Sequence, residues 1–262
     1  MMEIKRTGKF HIVNNIGEIQ NSSIIPIQQS EYKTVLDEIK NEILSHFKNN
    51  VHSIYIRGSV AKGIAIPFVS DMDFVVLLKN KAVNIDDFEI ITDEKIRTKY
   101  HFVNGIEFFF ITQDDVSDSK IQFLLKTQCG CIFGNNIIEK IRNFKIGKDA
   151  YSHSGDFNKD VQNITEELKT EENEDEIKSI CSWIMKRIIR TSFETVMIKD
   201  NSYTRDLYLN YEVFCKYHPN KEMEMRKALL LAINPTNNKA EITSTINGLF
   251  DYIQNEINKK CI

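Results

Sequence analysis

RGSVAKGIAIPFVSDMDFVV, Arg57 to Val76, decides how this chain is to be read. The residues leading into it, VHSIYIR from 51 to 57, are β-branched and aromatic and predict a strand that Gly58 ends. MDFVVLL, 72 to 78, predicts a second strand. Alternate side chains of a strand share a face, so Asp71 and Asp73 point the same way while Met72 and Phe74 enter the core. Their carboxylates are then about 7 Å apart, from two residue rises along a strand. They repel each other and resist leaving water. A cation beside them makes the pair tolerable, and oxygen donors of this kind suit Mg²⁺, which completes its shell with water and phosphate oxygens.

The turn between the strands supplies a place for phosphate. Gly58 lets the backbone approach an anion closely, and a helix beginning at Val60 would aim free N–H groups at it. The Ser59 hydroxyl can bond a phosphate oxygen, Arg57 and Lys62 bring positive charge, and Gly63 permits another sharp turn. Ser70 either joins the phosphate contacts or caps the turn. Glu107 is the third acidic group. It sits in IEFFFI, whose apolar residues predict a buried strand, where an unpartnered glutamate is costly. Beside strand 72–78 it would complete a three-carboxylate site, as metal ligand or as general base.

Gly58-Ser59, eleven residues, Asp71-Met72-Asp73 and a glutamate on a later strand together resemble the DNA polymerase β-like nucleotidyltransferase superfamily. GSVAKG followed by SDMDFVV is most similar to its bacterial small-substrate branch of antibiotic and minimal nucleotidyltransferases. The resemblance covers about residues 30–130 and implies an α+β fold: a nucleotidyltransferase domain, a mixed sheet with flanking helices, over 1–150, and a helical bundle over 151–262 that completes the nucleotide and acceptor cleft. It implies transfer of a nucleoside monophosphate, AMP from ATP or another nucleotide from its triphosphate, to an acceptor hydroxyl with release of pyrophosphate. Asp71 and Asp73 map to the metal carboxylates, Gly58 and Ser59 to the triphosphate turn, and Glu107 to the third carboxylate. Asp87, Glu89, Asp93, Asp114 and Asp115 compete for that last role; the apolar neighbours on both sides of Glu107 favour it. Two Mg²⁺ ions would stabilise the attacking and leaving oxygens. A small-molecule acceptor, such as an aminoglycoside-like antibiotic, is expected. Modification of a protein or RNA partner, and a non-catalytic nucleotide-binding module, are the alternatives.

Elsewhere, Val35, Ile39, Ile43, Leu44 and Phe47 recur at helical spacing over 31–49. Residues 100–112 predict a strand, a turn at Asn104-Gly105 and a second strand, and 114–126 a short helix opening near Asp114 or Asp115. After residue 150 the pattern turns helical, at 156–170, 176–200, 204–217, 221–233 and 239–259. The run EENEDE, Glu171 to Glu176, reads as a solvated helix start. Lys186 and Arg190 share a helix face and either reach the triphosphate or form a solvated basic face, Arg190 then pairing with Glu194. Trp183 is expected to pack with Ile180 and Ile184, and Thr204 to cap a helix. Tyr203, Tyr208, Tyr211 and Tyr217 are candidates to line an acceptor pocket, and the histidines read as structural.

A chain of 262 residues with 42% apolar and 27% charged residues can build an ordinary core. Its net charge of −3 does not suggest a nucleic-acid partner, and no apolar run approaches the ~18 residues of a membrane span. Cys129, Cys131, Cys181, Cys215 and Cys261 are odd in number and no secretion signal is evident, which points to the reducing cytoplasm. Cys129-Gly130-Cys131 reads as small residues near a turn rather than a metal site.

Overall fold

A computed structural model describes residues 6–82 and 84–259; Cys261 lies outside them. Of these, 14–144 form one compact unit, and 6–13 together with 145–259 form another.

The first unit begins its regular structure with α1, Ser30–Phe47, whose Tyr32, Val35, Leu36, Ile39, Ile43 and Phe47 are buried at the expected three- and four-residue intervals. Each such side chain contributes about 1.5–3 kcal/mol on leaving water. Then follow β1 (Val51–Arg57), the single turn α2 (Gly58–Ala61), β2 (Met72–Leu78), α3 (Ile85–Lys99), β3 (Ile106–Thr112), α4 (Ser119–Gln128) and β4 (Gly130–Gly134). The sheet order is β3-β2-β1-β4. β1 lies antiparallel to both of its neighbours, whereas β2 and β3 are parallel. The mixed sheet with flanking helices is therefore present. Met72, Phe74 and Val76 join Ile54 and Ile56 in the core packed by α1.

Parallel pairing corrects the expected hairpin over 100–112. Two parallel strands need a crossover, and α3 supplies it. Residues 100–105 only lead from α3 into β3, and their strand-like look comes from Val103 and Phe102, which pack on the core. The short helix after β3 starts later than expected: Asp118 caps α4 by accepting the N–H groups of Lys120 and Ile121, while Asp115 accepts the Thr112 N–H at 2.7 Å. Cys129 is buried, and Cys131 lies on β4 with its thiol donating to the Phe133 carbonyl.

The second unit holds α5 (Phe157–Thr170), α6 (Glu174–Glu194), α7 (Met197–Asp200), α8 (Leu207–Tyr217), α9 (Glu222–Ile233) and α10 (Lys239–Asn258). α6 is its axis, packed by α5, α8, α9 and α10. Its N-terminus is capped by Asn173, whose side chain accepts the Asp175 and Glu176 N–H groups, so the acidic run is a helix start facing solvent. The helix expected over 176–200 is broken after Glu194, and Val196 is buried in the break. Trp183 does not pack as expected: the apolar stripe runs through Ile177, Ile180, Ile184 and Ile188, and the indole falls outside it, 48% exposed. Asp206, not Thr204, stands at the N-cap of α8; the Thr204 hydroxyl accepts the Asp206 N–H and donates to the Lys9 carbonyl. Among the described residues no helix is long and apolar enough to cross a membrane.

Candidate active site

The site is a row of cross-strand neighbours. Arg57 is the last residue of β1 and pairs in register with Asp73 of β2, which pairs in turn with Glu107 of β3. The Arg57 Nη2 lies 2.9 Å from Asp73 Oδ1 and 3.0 Å from Glu107 Oε2, so one nitrogen holds both carboxylates. Glu107 is where the sequence placed it, but not in the predicted surroundings. β3 is an edge strand, and the Glu107 side chain is 63% exposed. Ile106, Phe108 and Phe110 turn to the core while Glu107 and Phe109 face outward. Burial therefore does not single out Glu107; its register beside Asp73 does.

Asp73 is the least exposed member of the row, its side chain 17% exposed. Desolvation, opposed by the Arg57 charge and reinforced by Glu107 and Asp71, pushes its carboxyl up to about 6. Two consequences follow from the sign. Because the folded value exceeds that of an unfolded aspartate, protonation favours the fold; this term is fully present below about 4 and is lost as the pH rises through about 6. Activity that requires the Asp73 carboxylate has the opposite slope. We expect the acid limb of kcat/KM in the free enzyme to bend near pH 6, and a profile flat down to pH 4.5 would contradict the assignment.

Gly58 has a φ of +75°, and a Cβ there would lie 2.0 Å from Asp73 Oδ2. The glycine thus gives Asp73 its space as well as the chain its turn. α2 and the following turn are closed by Lys62 N–H to Gly58 O and Ile64 N–H to Ser59 O. The loop up to Ser70 is pinned by Gln29, whose amide exchanges two hydrogen bonds with the Ala65 backbone. The Ser70 hydroxyl accepts the Ile66 N–H at 2.9 Å and so caps that turn.

Asp71 is held by a residue the sequence reading passed over. The Asn104 side-chain amide donates to Asp71 Oδ1 at 2.8 Å, and a Cβ on Gly105 would come within 3.2 Å of the same oxygen. Asn104-Gly105 had the signature of a hairpin turn, which hid its contact with the aspartate. With Asp71 as a Mg²⁺ ligand, the role proposed below, we expect Asn104→Ala to raise the Mg²⁺ concentration needed for half-maximal rate by about 10- to 100-fold, the scale of losing a hydrogen-bond partner behind a metal-bound carboxylate. The near-isosteric Asn104→Asp should be worse than alanine, since it sets a like charge on Asp71; a better result for aspartate would rule out the donor role.

The other candidate carboxylates are engaged or placed elsewhere. Asp93 accepts the Ile106 N–H at 3.0 Å and pairs with Arg97, and Asp115 holds Thr112. Among the described residues no three carboxylate, imidazole or thiol groups stand close enough to hold a metal ion as placed. The chemistry of the row nonetheless fits a hard cation. Its donors are oxygens, Asp73 resists ionisation beside its like-charged neighbours, and Asp73 with Glu107 already shares a positive group.

In the helical unit, Lys186 and Arg190 are half-buried on α6. Arg187, next to them, pairs with Asp160 and contacts His153. The Glu194 carboxylate accepts the N–H groups of Ser152, His153 and Ser154 at 2.8, 3.0 and 2.8 Å, which ties that loop to α6. Burial pushes the Glu194 carboxyl up, and these donors pull against it. Arg190, Arg205, Tyr203 and Asn210 line a small cavity beside Glu194. The Tyr211 hydroxyl donates to Glu222 and the Tyr217 hydroxyl to Asp200.

A nucleotidyltransferase domain model matches residues 36–126, the segment that carries the whole Arg57–Asp73–Glu107 row. A protein of Methanocaldococcus jannaschii, provisionally named protein adenylyltransferase MJ1305, is 30% identical over 111 residues, spanning 42% of this chain and 73% of that protein. The chain belongs to the nucleotidyltransferase family. This nucleotidyltransferase also shares its fold with spectinomycin adenyltransferase AAD(9) from Enterococcus faecialis, solved with ATP and spectinomycin: the TM-score is 0.50 at 17% identity, over 86% of this chain and 98% of the other. That coverage extends the likeness in fold from the sheet into the helical residues. The chain is thus a transferase.

Proposed function

We propose that this nucleotidyltransferase transfers AMP from ATP to a hydroxyl of a small-molecule acceptor and releases pyrophosphate. The observation that carries the reading is the row of Asp73 and Glu107 about one cationic nitrogen, beside a glycine whose missing side chain leaves Asp73 its space. A non-catalytic nucleotide-binding module has no physical need to keep such mutually repelling carboxylates. Both named relatives are adenylyltransferases, which favours AMP as the transferred group.

Asp71, Asp73 and Glu107 would hold Mg²⁺, which supplies positive charge to the phosphoryl oxygens and the leaving pyrophosphate. Gly58 and Ser59, with Lys62 close behind, receive the triphosphate. The acceptor oxygen attacks the α-phosphorus, the bond from that phosphorus to the bridging β-phosphate oxygen breaks, and the hydroxyl proton leaves to a carboxylate. Glu107, the exposed member of the row, is the group able to take it. Lys186 and Arg190 are proposed nucleotide contacts on their shared helix face. Lys186→Ala is expected to raise the KM for ATP by about tenfold with kcat little changed, as loss of uniform binding does; an unchanged KM removes the role.

A protein acceptor is the second reading, favoured by the name of the archaeal relative. Labelled ATP incubated with cell extract and the enzyme, then fractionated into small molecules, RNA and protein, separates the two. Label in the small-molecule fraction supports the first reading, and label confined to protein replaces it with the second.

A further inference from the structure

Arg57 was expected to face phosphate. In the structure its Nη2 instead sits between Asp73 and Glu107, while its Nε is buried with no hydrogen-bond partner. An arginine that served only to bind carboxylate would present its fork and satisfy several donors. Here a single nitrogen spans two carboxylates from two strands, and the buried Nε is left without a partner. That is the arrangement of a counter-ion, dictated by where the negative charge is rather than by optimal pairing.

We infer that Arg57 is the resident counter-cation of the carboxylate row and competes with the divalent metal for Asp73 and Glu107. The inference rests on the metal-binding reading given above. A metal ion bound to both carboxylates and a guanidinium nitrogen bonded to both cannot occupy one place, because two cations at contact distance repel strongly in a partly dry site. Without metal, Arg57 keeps two like charges together at the end of the sheet. When metal enters, the guanidinium must release at least one carboxylate. The released group lies next to Gly58-Ser59, at the turn proposed to receive the triphosphate. One residue thereby stabilises the metal-free protein and weakens its hold on metal in the absence of nucleotide.

The test uses Mn²⁺ alone, with no nucleotide, titrated into the full-length protein and followed by electron paramagnetic resonance. Arg57→Gln should tighten Mn²⁺ by about tenfold, within the range of couplings in one ion-pair network, and Arg57→Lys should leave it near wild type. Arg57→Gln should also melt earlier in EDTA, with the difference narrowed by Mn²⁺. An Mn²⁺ affinity equal to or weaker than wild type in Arg57→Gln overturns the competition. Asp73→Asn is the control that separates the two ideas. If it binds Mn²⁺ as wild type does, the metal site itself is wrong; if it loses Mn²⁺ while Arg57→Gln does not tighten, only the competition is wrong. Should Arg57→Gln fail to fold, the unsubstituted protein still decides: its Arg57 guanidinium ¹⁵N signals should move on adding Mg²⁺ alone, and unmoved signals overturn the inference.

Discussion

Asp73→Asn lowers kcat/KM by a factor on the order of 10³ or more, as removal of a central member of a catalytic group does, yet does not lower the melting temperature at pH 7.5. The two halves of this expectation come from one observation. The Asp73 carboxylate is held where burial and its acidic neighbours resist its charge, enough to push it up to about 6. At pH 7.5 the wild-type protein carries that charge at a cost to folding, which the amide avoids. Arg57 keeps Glu107 as a partner in the variant. The aspartate is therefore a site where function opposes stability. Pyrophosphate release and a thermal melt on the same preparation check both. Retained activity, or a melt lowered by many degrees, would show that Asp73 is there for structure.

Gly58→Ala is expected to cost about 10²-fold in rate, the scale of a misplacement of about 1 Å in a catalytic group, and roughly 1–2 kcal/mol of stability from the left-handed backbone. The rate effect is steric: the new methyl group would stand 2.0 Å from Asp73 Oδ2, so the carboxylate must move. Gly63→Ala is the matched control. Gly63 also has a positive φ, +67°, but its Cβ would meet nothing within 4 Å. It should therefore lose similar stability and keep its rate. Steady-state rates and denaturant midpoints for the pair make the comparison. Equal rate losses at the two glycines would separate Gly58 from the aspartate.

The β1–turn–β2 segment was legible because local chemistry fixes it. A glycine ends one apolar strand, and two aspartates at alternate positions open the next, whatever surrounds them. β3 was legible only in part. Phe108 and Phe110 face the core and Phe109 faces outward, but three consecutive phenylalanines carry no alternation that reveals an edge. Glu107 was found for a burial it does not have. α3 escaped notice because its buried stripe is only Phe88, Thr92 and Ile96, while Ile90 and Ile91 are exposed and blur the period. Missing that crossover turned a parallel pair into an expected hairpin and concealed Asn104, whose contact with Asp71 depends on tertiary structure. Trp183 erred the same way: its spacing from Ile180 is right for the stripe, but four helices already fill the face around α6, and the indole lies beyond their cover.

Calorimetric titration of ATP into the wild-type enzyme, with Mg²⁺ and then with EDTA, tests most directly whether the Asp71, Asp73 and Glu107 carboxylates exist to hold a cation and a triphosphate together. Binding that needs Mg²⁺, and that Asp73→Asn abolishes, is the predicted result. Equal binding in EDTA, or no magnesium-dependent binding of ATP at all, would contradict it.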